Sequence, residues 1–220
     1  MSGKIRPEGK RYSLKSQVDS FISADETDVE FIREYLWRIL DRVQEFAKAT
    51  QRSFIGSVLL AVLFELLNRN LVSETSAGGV RLAKINFIKP FIPIAIGYLW
   101  LRISVLLQEG KILTEAYYCI TEIKFPGLHS STIDDFLVPT TTPTAAEVPI
   151  RFTSNPRAIS FIRGVEVVFY FSLPVAFSVY AFIQLFGSSG FSDVTIWFSF
   201  ALTVPLLVGG YICALSTPNR

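Results

Sequence analysis

The chain has 220 residues, of which 50% are hydrophobic and 18% are charged, and its mean hydropathy is +0.40. A soluble domain usually carries about a quarter charged residues, so this composition excludes a disordered chain and favours an integral membrane protein over a soluble globule. The net charge of +2 is too small for a nucleic-acid-binding protein, which needs a clustered basic surface to bind phosphates.

The N-terminal part divides into a basic tail, residues 1–26, and a predicted amphipathic cytoplasmic helix, residues 27–52. Thr27 and Glu30 have the spacing of a capping box, which marks the start of a helix. Apolar residues then recur at alternating intervals of three and four, as in the seam of a coiled coil, at Val29, Ile32, Leu36, Ile39, Val43 and Phe46. The seam has two interpretations: it packs within the subunit, or copies of the chain meet along it.

Residues 53–107 are predicted to form a first transmembrane or membrane-dipping hairpin. Its apolar stretches, Phe54–Phe64 and Phe87–Leu107, adjoin or contain ionisable residues, and their uninterrupted parts are shorter than the roughly 20 residues of a full crossing. We favour two crossings, because long side chains near the ends of a span can reach the headgroups. A pair of re-entrant or interfacial helices is the alternative.

The following residues, 108–164, are predicted to form a cytoplasmic segment of mixed structure. The stretch Ile112–Phe125 is compatible with a strand or with a helix that extends the second span. Farther on, Val138–Pro149 contains three prolines and several threonines, a composition typical of an extended linker.

The second hairpin, residues 165–215, gives a clearer membrane signal than the first. Val165–Phe186 and Val194–Leu215 each exceed the length of a crossing, and no charged residue occurs from 167 to 192 or from 194 to 219. The short connection 187–193 contains the glycine and serine residues typical of a turn. Residues 216–220 form a C-terminal tail.

The distribution of basic residues predicts the orientation. Arg33, Arg38 and Arg42 precede the first span, Arg163 precedes the third, and Arg220 follows the fourth, whereas the 187–193 connection has no basic residue. The positive-inside rule therefore predicts that both termini are cytoplasmic. The complete prediction is an all-α membrane protein: a four-helix transmembrane bundle, with two uninterrupted and two interrupted spans, an amphipathic N-terminal helix and a mixed cytoplasmic segment.

The sequence contains no recognisable set of catalytic or metal-binding residues. His129 is the single histidine, and neither Cys119 nor Cys213 has a cluster of metal ligands around it in the sequence, so no zinc site is predicted. None of the phosphate-binding, nucleophile-elbow or metalloprotease motifs occurs. We therefore predict a protein that is not an enzyme, with no catalytic residue, no metal and no cofactor.

Ionisable residues at membrane depth are the remaining candidates for function. Counting residues from the outer ends of the first two spans predicts a contact between Glu65 and Lys89. The same count brings Arg102 close to Glu166 near the inner end. These pairs either hold the bundle together or line a pathway for ions or protons, and their mixed signs weaken the second interpretation.

The sequence leaves two hypotheses of function. The first is a non-catalytic membrane subunit that assembles through its spans and its cytoplasmic helix and anchors or recruits a partner protein through residues 108–164. The alternative is a homo-oligomeric ion channel or membrane-permeabilising effector with Glu65 and Arg102 near the conduction path. The expected partners are the lipid bilayer and either further copies of the chain or a membrane-complex protein.

Overall fold

The structure, a computed structural model, describes residues 29–69, 74–77, 80–83, 85–129, 156–190 and 192–216. Four helices are long and apolar enough to cross a membrane, which agrees with the predicted number of spans. The capping residue Thr27, the basic tail and the linker rich in proline and threonine lie outside the described residues.

The helices in chain order are α1 (Val29–Asn68), α2 (Phe91–Lys124), the short α3 (Pro126–His129), α4 (Pro156–Ser189) and α5 (Val194–Leu215). Between α1 and α2 lie two short antiparallel strands and a 3-10 turn, namely β1 (Glu74–Ala77), β2 (Val80–Ala83) and Ile85–Ile88. The strand register pairs Glu74 with Ala83 and Ala77 with Val80. Sequence analysis predicted no strand at this position.

The first two long helices extend beyond the predicted segment boundaries. α1 continues from the predicted amphipathic helix into the first span, because no proline occurs within it and its first glycine is Gly56. α2 continues past residue 107 to Lys124. The stretch Ile112–Phe125, which the sequence left open between strand and helix, is therefore helical up to Lys124.

α2 is the central helix of the bundle, with α1 packed along one side and α5 along another. The approach to α5 is close, because a β-carbon added at Gly210 would lie 2.5 Å from Trp100 Cδ1 and 2.6 Å from Trp100 Nε1. Two interhelical hydrogen bonds fix the register. The Ser199 hydroxyl donates to the carbonyl of Pro90, and Gln108 Nε2 donates to the Ser216 carbonyl at 2.6 Å.

Two apolar clusters form the described core, one near each end of the α1–α2 pair. The first joins the two helices where they are rich in charged residues, and its buried members are Ile32, Leu36, Ile39, Val43, Tyr117 and Ile120. The second joins all four long helices, and its buried members are Phe64, Leu67, Ile92, Ile96, Ala181, Phe182, Leu185 and Ile196. Burial of such side chains contributes about 1.5–3 kcal/mol each in water, and within a bilayer close packing replaces part of that contribution.

The turn between α4 and α5 begins later than the predicted 187–193 connection, because α4 continues to Ser189 and includes Gly187. Gly190 has a φ of +76°, a conformation that glycine adopts without steric cost. Asp193 caps α5 by accepting a hydrogen bond from the backbone N–H of Thr195 at 2.9 Å. Farther along the two helices, the Tyr211 hydroxyl donates to the Phe171 carbonyl, so the C-terminal part of α5 is joined to the middle of α4.

Candidate functional site

A cavity of about 590 Å³ lies between α1, α2 and α4, and we refer to it as the lateral cavity. Its floor is formed by α2, and its walls are formed by α1 and α4. The lining is almost entirely apolar, with side chains such as Phe54, Val58, Ile96, Ile103, Leu173 and Phe177. A cavity of this size is within the usual range of ligand pockets, which is about 300–1,000 Å³.

The wall contact between α1 and α4 centres on Phe64, which is buried. Its ring meets the rings of Phe177 and Tyr180 edge-on, with centroids 5.5 and 6.3 Å apart. α4 also contains Pro174, which lines the cavity and lacks the backbone N–H that would continue the helical ladder. The Ser178 hydroxyl donates to the Pro174 carbonyl at 2.7 Å, so this carbonyl has a side-chain hydrogen-bond partner.

A polar cluster of Glu65, Arg69 and Tyr180 lies at one end of the lateral cavity, and we call it the Glu65 cluster. Arg69 Nε donates to Glu65 Oε1 at 2.6 Å, and the Tyr180 hydroxyl donates to Glu65 Oε2 at 2.5 Å. Nearby, Asn68 Nδ2 lies 3.4 Å from Gln184 Oε1. Both carboxylate oxygens are therefore used, one by Arg69 just after the end of α1 and one by Tyr180 of α4.

The Glu65 cluster is only partly shielded from its surroundings. The side chain of Glu65 is 34% exposed and that of Arg69 is 67% exposed. Arg69 follows the last residue of α1, and the hydrogen bond from its guanidinium to Glu65 raises the pKa of Arg69. Arg69 thus keeps its positive charge at all physiological pH values and holds it beside Glu65, which lines the cavity.

The partners of Glu65 differ from those that the residue count predicted. Glu65 pairs with Arg69 and Tyr180, and no ion pair with Lys89 occurs among the described side chains. Lys89 lies in the turn just before α2 and is half-buried. Arg69 lies one turn from Glu65, a spacing at which side chains at the end of a helix pair readily.

Tyr180 is the residue of the cluster that sequence analysis missed. The sequence does contain an indication of its role. A tyrosine in an apolar span carries a hydroxyl that needs a hydrogen-bond partner when it lies at membrane depth. Counting back from the end of α4 would have placed it at a depth near that of Glu65.

The second predicted pair stays a prediction. Arg102 lies on α2 with an exposed side chain, and the described side chains give it no ion pair. Glu166 lies within α4, but its side chain is outside the part of the chain that the structure describes. An approach of Arg102 to Glu166 is therefore neither found nor contradicted.

The structure buries much of the predicted seam within the subunit. Ile32, Leu36, Ile39 and Val43 all face α2, and Val43 is 0% exposed. Phe46 is half-buried, with the Arg42 guanidinium 5.2 Å from its ring centroid. The side chain of Val29 lies outside the described part.

The described residues contain no group of three or more histidine, cysteine, aspartate or glutamate side chains that could hold a metal ion. Cys119 and Cys213 form no disulfide with each other, and both side chains are half-buried. No family model, curated protein or solved structure matches the chain. The lateral cavity can therefore bind an apolar group, and the Glu65 cluster beside it offers one positive and one negative charge.

Replacing Tyr180 with phenylalanine should lower the unfolding temperature, because the Glu65 carboxylate loses the hydroxyl that links it to α4. Tyr98→Phe is the matched control, since Tyr98 is exposed and no described residue bonds its hydroxyl. The effect of Tyr180→Phe should disappear in a Glu65→Ala background. Thermal unfolding in detergent, followed by circular dichroism, measures the unsubstituted chain, the three single variants and the double variant. Equal values for Tyr180→Phe and the unsubstituted chain would contradict the link.

Proposed function

We propose that this protein is a non-catalytic integral membrane subunit that anchors or recruits a partner protein beside the membrane. The observation that supports the proposal is a packed pair of helices longer than the membrane is thick. α1 has 40 residues and α2 has 34, which correspond to about 60 and 51 Å of helix. The hydrocarbon core of a bilayer is only about 30 Å thick.

The surplus length lies at the end of the pair where charged residues concentrate. Residues 29–52 of α1 and 108–124 of α2 are rich in Arg, Lys, Glu and Asp, whereas 53–68 and 91–107 are mostly apolar. We therefore place the charged halves outside the bilayer, and we call them the stalk. The basic residues of α1 favour the cytoplasmic side for the stalk, with both termini on that side.

The stalk is a packed unit because the first apolar cluster joins its two helices. Seam residues of α1 lie against Tyr117 and Ile120 of α2, so the pair can project from the membrane as one arm. Trp37 lies outside the seam and is 59% exposed. Exposed tryptophans are frequent energetic centres of protein interfaces, so Trp37 is the residue on which we centre the partner contact.

The geometry gives less support to a channel. Glu65 is paired with a positive charge at 2.6 Å, and the cavity beside it is apolar rather than a water-filled path. A selective pore usually presents rings of like charge or of carbonyl groups. A homo-oligomeric channel or permeabilising effector therefore ranks second.

A substitution at Trp37 tests the proposed function. After extraction from the source membrane with detergent, the chain should co-purify with one partner protein in a fixed ratio. Trp37→Ala should weaken the binding of the partner about thirtyfold or more. Truncation of a central interface residue typically costs at least about 2 kcal/mol of binding free energy. Lys48→Ala, which removes an exposed side chain from the same helix, should retain the partner. Equal retention by both variants, or no partner in a fixed ratio, would contradict the proposal.

A further inference from the structure

The lateral cavity is lined by residues of three candidate spans, so in a bilayer its open side would face hydrocarbon. Its lining includes Val58, Val62 and Leu173, whose side chains are exposed and lie in candidate spans. Apolar cavities hold water poorly, because water inside them finds too few polar partners. An empty cavity would also lose the dispersion contacts that close packing supplies. The material available at that depth is the acyl chain of a lipid.

The cavity has an extended shape along α1. Its lining on α1 runs from Phe54 to Glu65, which corresponds to about 16 Å of helix. It is therefore a slot that suits a chain lying roughly parallel to the helix, and its volume of about 590 Å³ is too small for a whole helix about 10 Å in diameter over the same length.

The slot ends at the Glu65 cluster, where a headgroup would lie. The Arg69 guanidinium uses Nε to bind Glu65, and no other hydrogen bond to it occurs among the described residues. Its two Nη groups therefore remain available for a phosphate, the anion that the planar guanidinium fork matches. The Tyr180 hydroxyl holds the other oxygen of Glu65 and so orients the carboxylate beside Arg69.

The charges of the cluster select among phospholipids. Glu65 and Arg69 together carry no net charge, yet they present a negative and a positive group 2.6 Å apart. A zwitterionic headgroup has the complementary pair, a phosphate next to an ammonium, whereas an anionic headgroup would set its surplus charge beside the Glu65 carboxylate.

We propose that the lateral cavity is a binding site for a zwitterionic phospholipid. One acyl chain occupies the slot above Ile96, Trp100 and Ile103, the phosphate binds Arg69, and the ammonium lies near Glu65. The site is separate from the stalk and does not depend on the partner contact at Trp37.

Trp100 provides a direct probe, because it lines the cavity and is otherwise buried. A chain with Trp37→Phe and Trp197→Phe has Trp100 as its single tryptophan. It is placed in mixed vesicles of phosphatidylethanolamine and phosphatidylglycerol in which one lipid at a time carries bromine on its acyl chains. Bromine quenches tryptophan fluorescence at short range, so the difference in Trp100 quenching between the two lipids, and its loss when the cavity is filled or Arg69 is changed, reports a chain inside the slot.

We expect brominated phosphatidylethanolamine to quench Trp100 about fivefold more effectively than brominated phosphatidylglycerol at the same mole fraction, a ratio typical of a partly exposed charge pair. Arg69→Gln should remove this preference, whereas Arg102→Gln, which changes an exposed arginine elsewhere, should keep it. Ala176→Phe, which adds a ring to the cavity wall, should reduce quenching by both lipids.

Two results would overturn the proposal. Equal quenching by both lipids, unchanged by Arg69→Gln, would show that ordinary bilayer lipid fills the slot without recognition of a headgroup. Absence of quenching by either lipid, with helicity unchanged by circular dichroism, would show that acyl chains do not enter the cavity.

Discussion

Gly210→Ala should destabilise the protein by about 1–3 kcal/mol, the usual cost of forcing extra volume into a packed site. The added β-carbon would lie 2.5 Å from Trp100 Cδ1, and Leu101 Cα behind it is only 3.4 Å away. Trp100 cannot easily retreat, because its ring also packs against Phe171 and Tyr211 with centroids 5.7 and 5.4 Å away. α2 and α5 would therefore have to separate.

Gly209 supplies the matched control for this substitution. A β-carbon at Gly209 would meet Leu101 Cδ1 at 3.6 Å, an ordinary contact. Gly209→Ala should be neutral or stabilise α5 slightly, because alanine is favoured over glycine inside a helix by about 0.5–1 kcal/mol. Denaturant unfolding in mixed micelles, followed by circular dichroism, measures both variants.

A substitution of Trp100 tests whether a clash with its ring, rather than a general intolerance of α5 to added volume, causes the destabilisation. In a Trp100→Phe background, the smaller ring should reduce the cost of Gly210→Ala, and the double-mutant cycle should show a coupling energy. Equal destabilisation by Gly209→Ala and Gly210→Ala, or additive effects in the cycle, would contradict the packing of α2 on α5 described here.

Val43→Asp should have the largest effect on stability, about 3–5 kcal/mol, because it places an unpaired carboxylate in a fully buried position. Val43 is 0% exposed and belongs to the cluster that joins α1 to Tyr117 and Ile120 of α2. The two helices of the stalk should separate, and the stalk should become sensitive to limited proteolysis while the apolar halves of the helices remain protected.

Gln44→Asp is the control, because Gln44 is the next residue of the same helix and is exposed. It should leave proteolysis unchanged. The concentration dependence distinguishes the two interpretations of the seam. Packing within the subunit predicts that the effect of Val43→Asp is independent of protein concentration, whereas a seam between copies predicts a loss of stability on dilution.

The features that the sequence predicted well are those set by length and by local rules. Val194–Leu215 is one helix with the predicted bounds, because the absence of charge over a membrane-length stretch and the Asp193 cap both act locally. α1 is continuous for a similarly local reason, the lack of a proline, although the predicted segments divided it at residue 52.

The β1–β2 hairpin shows how a local signal was passed over. Two glycines separate Ala77 from Val80 in the sequence, and Gly-Gly between short stretches is typical of a two-residue hairpin connection. The stretches themselves, Glu74–Ala77 and Val80–Ala83, show little alternation of apolar and polar residues, so periodicity gave no indication of strands.

The lateral cavity and the Glu65 cluster depend on tertiary geometry that periodicity does not encode. Glu65 was identified as a candidate because a carboxylate in a span is costly without a partner. The identity of that partner, Tyr180, depends on the approach of α4 to α1 around Phe64, which joins residues 115 positions apart in the chain.

The central claim is that this protein is a membrane subunit held to a different protein, and its most direct test is the mass of the intact particle. Native mass spectrometry of particles extracted from the source membrane into lipid nanodiscs gives the copy number and any bound protein in one measurement. We expect one copy of the chain bound to a second protein. A closed ring of three or more copies with no other protein would contradict it and would favour the channel.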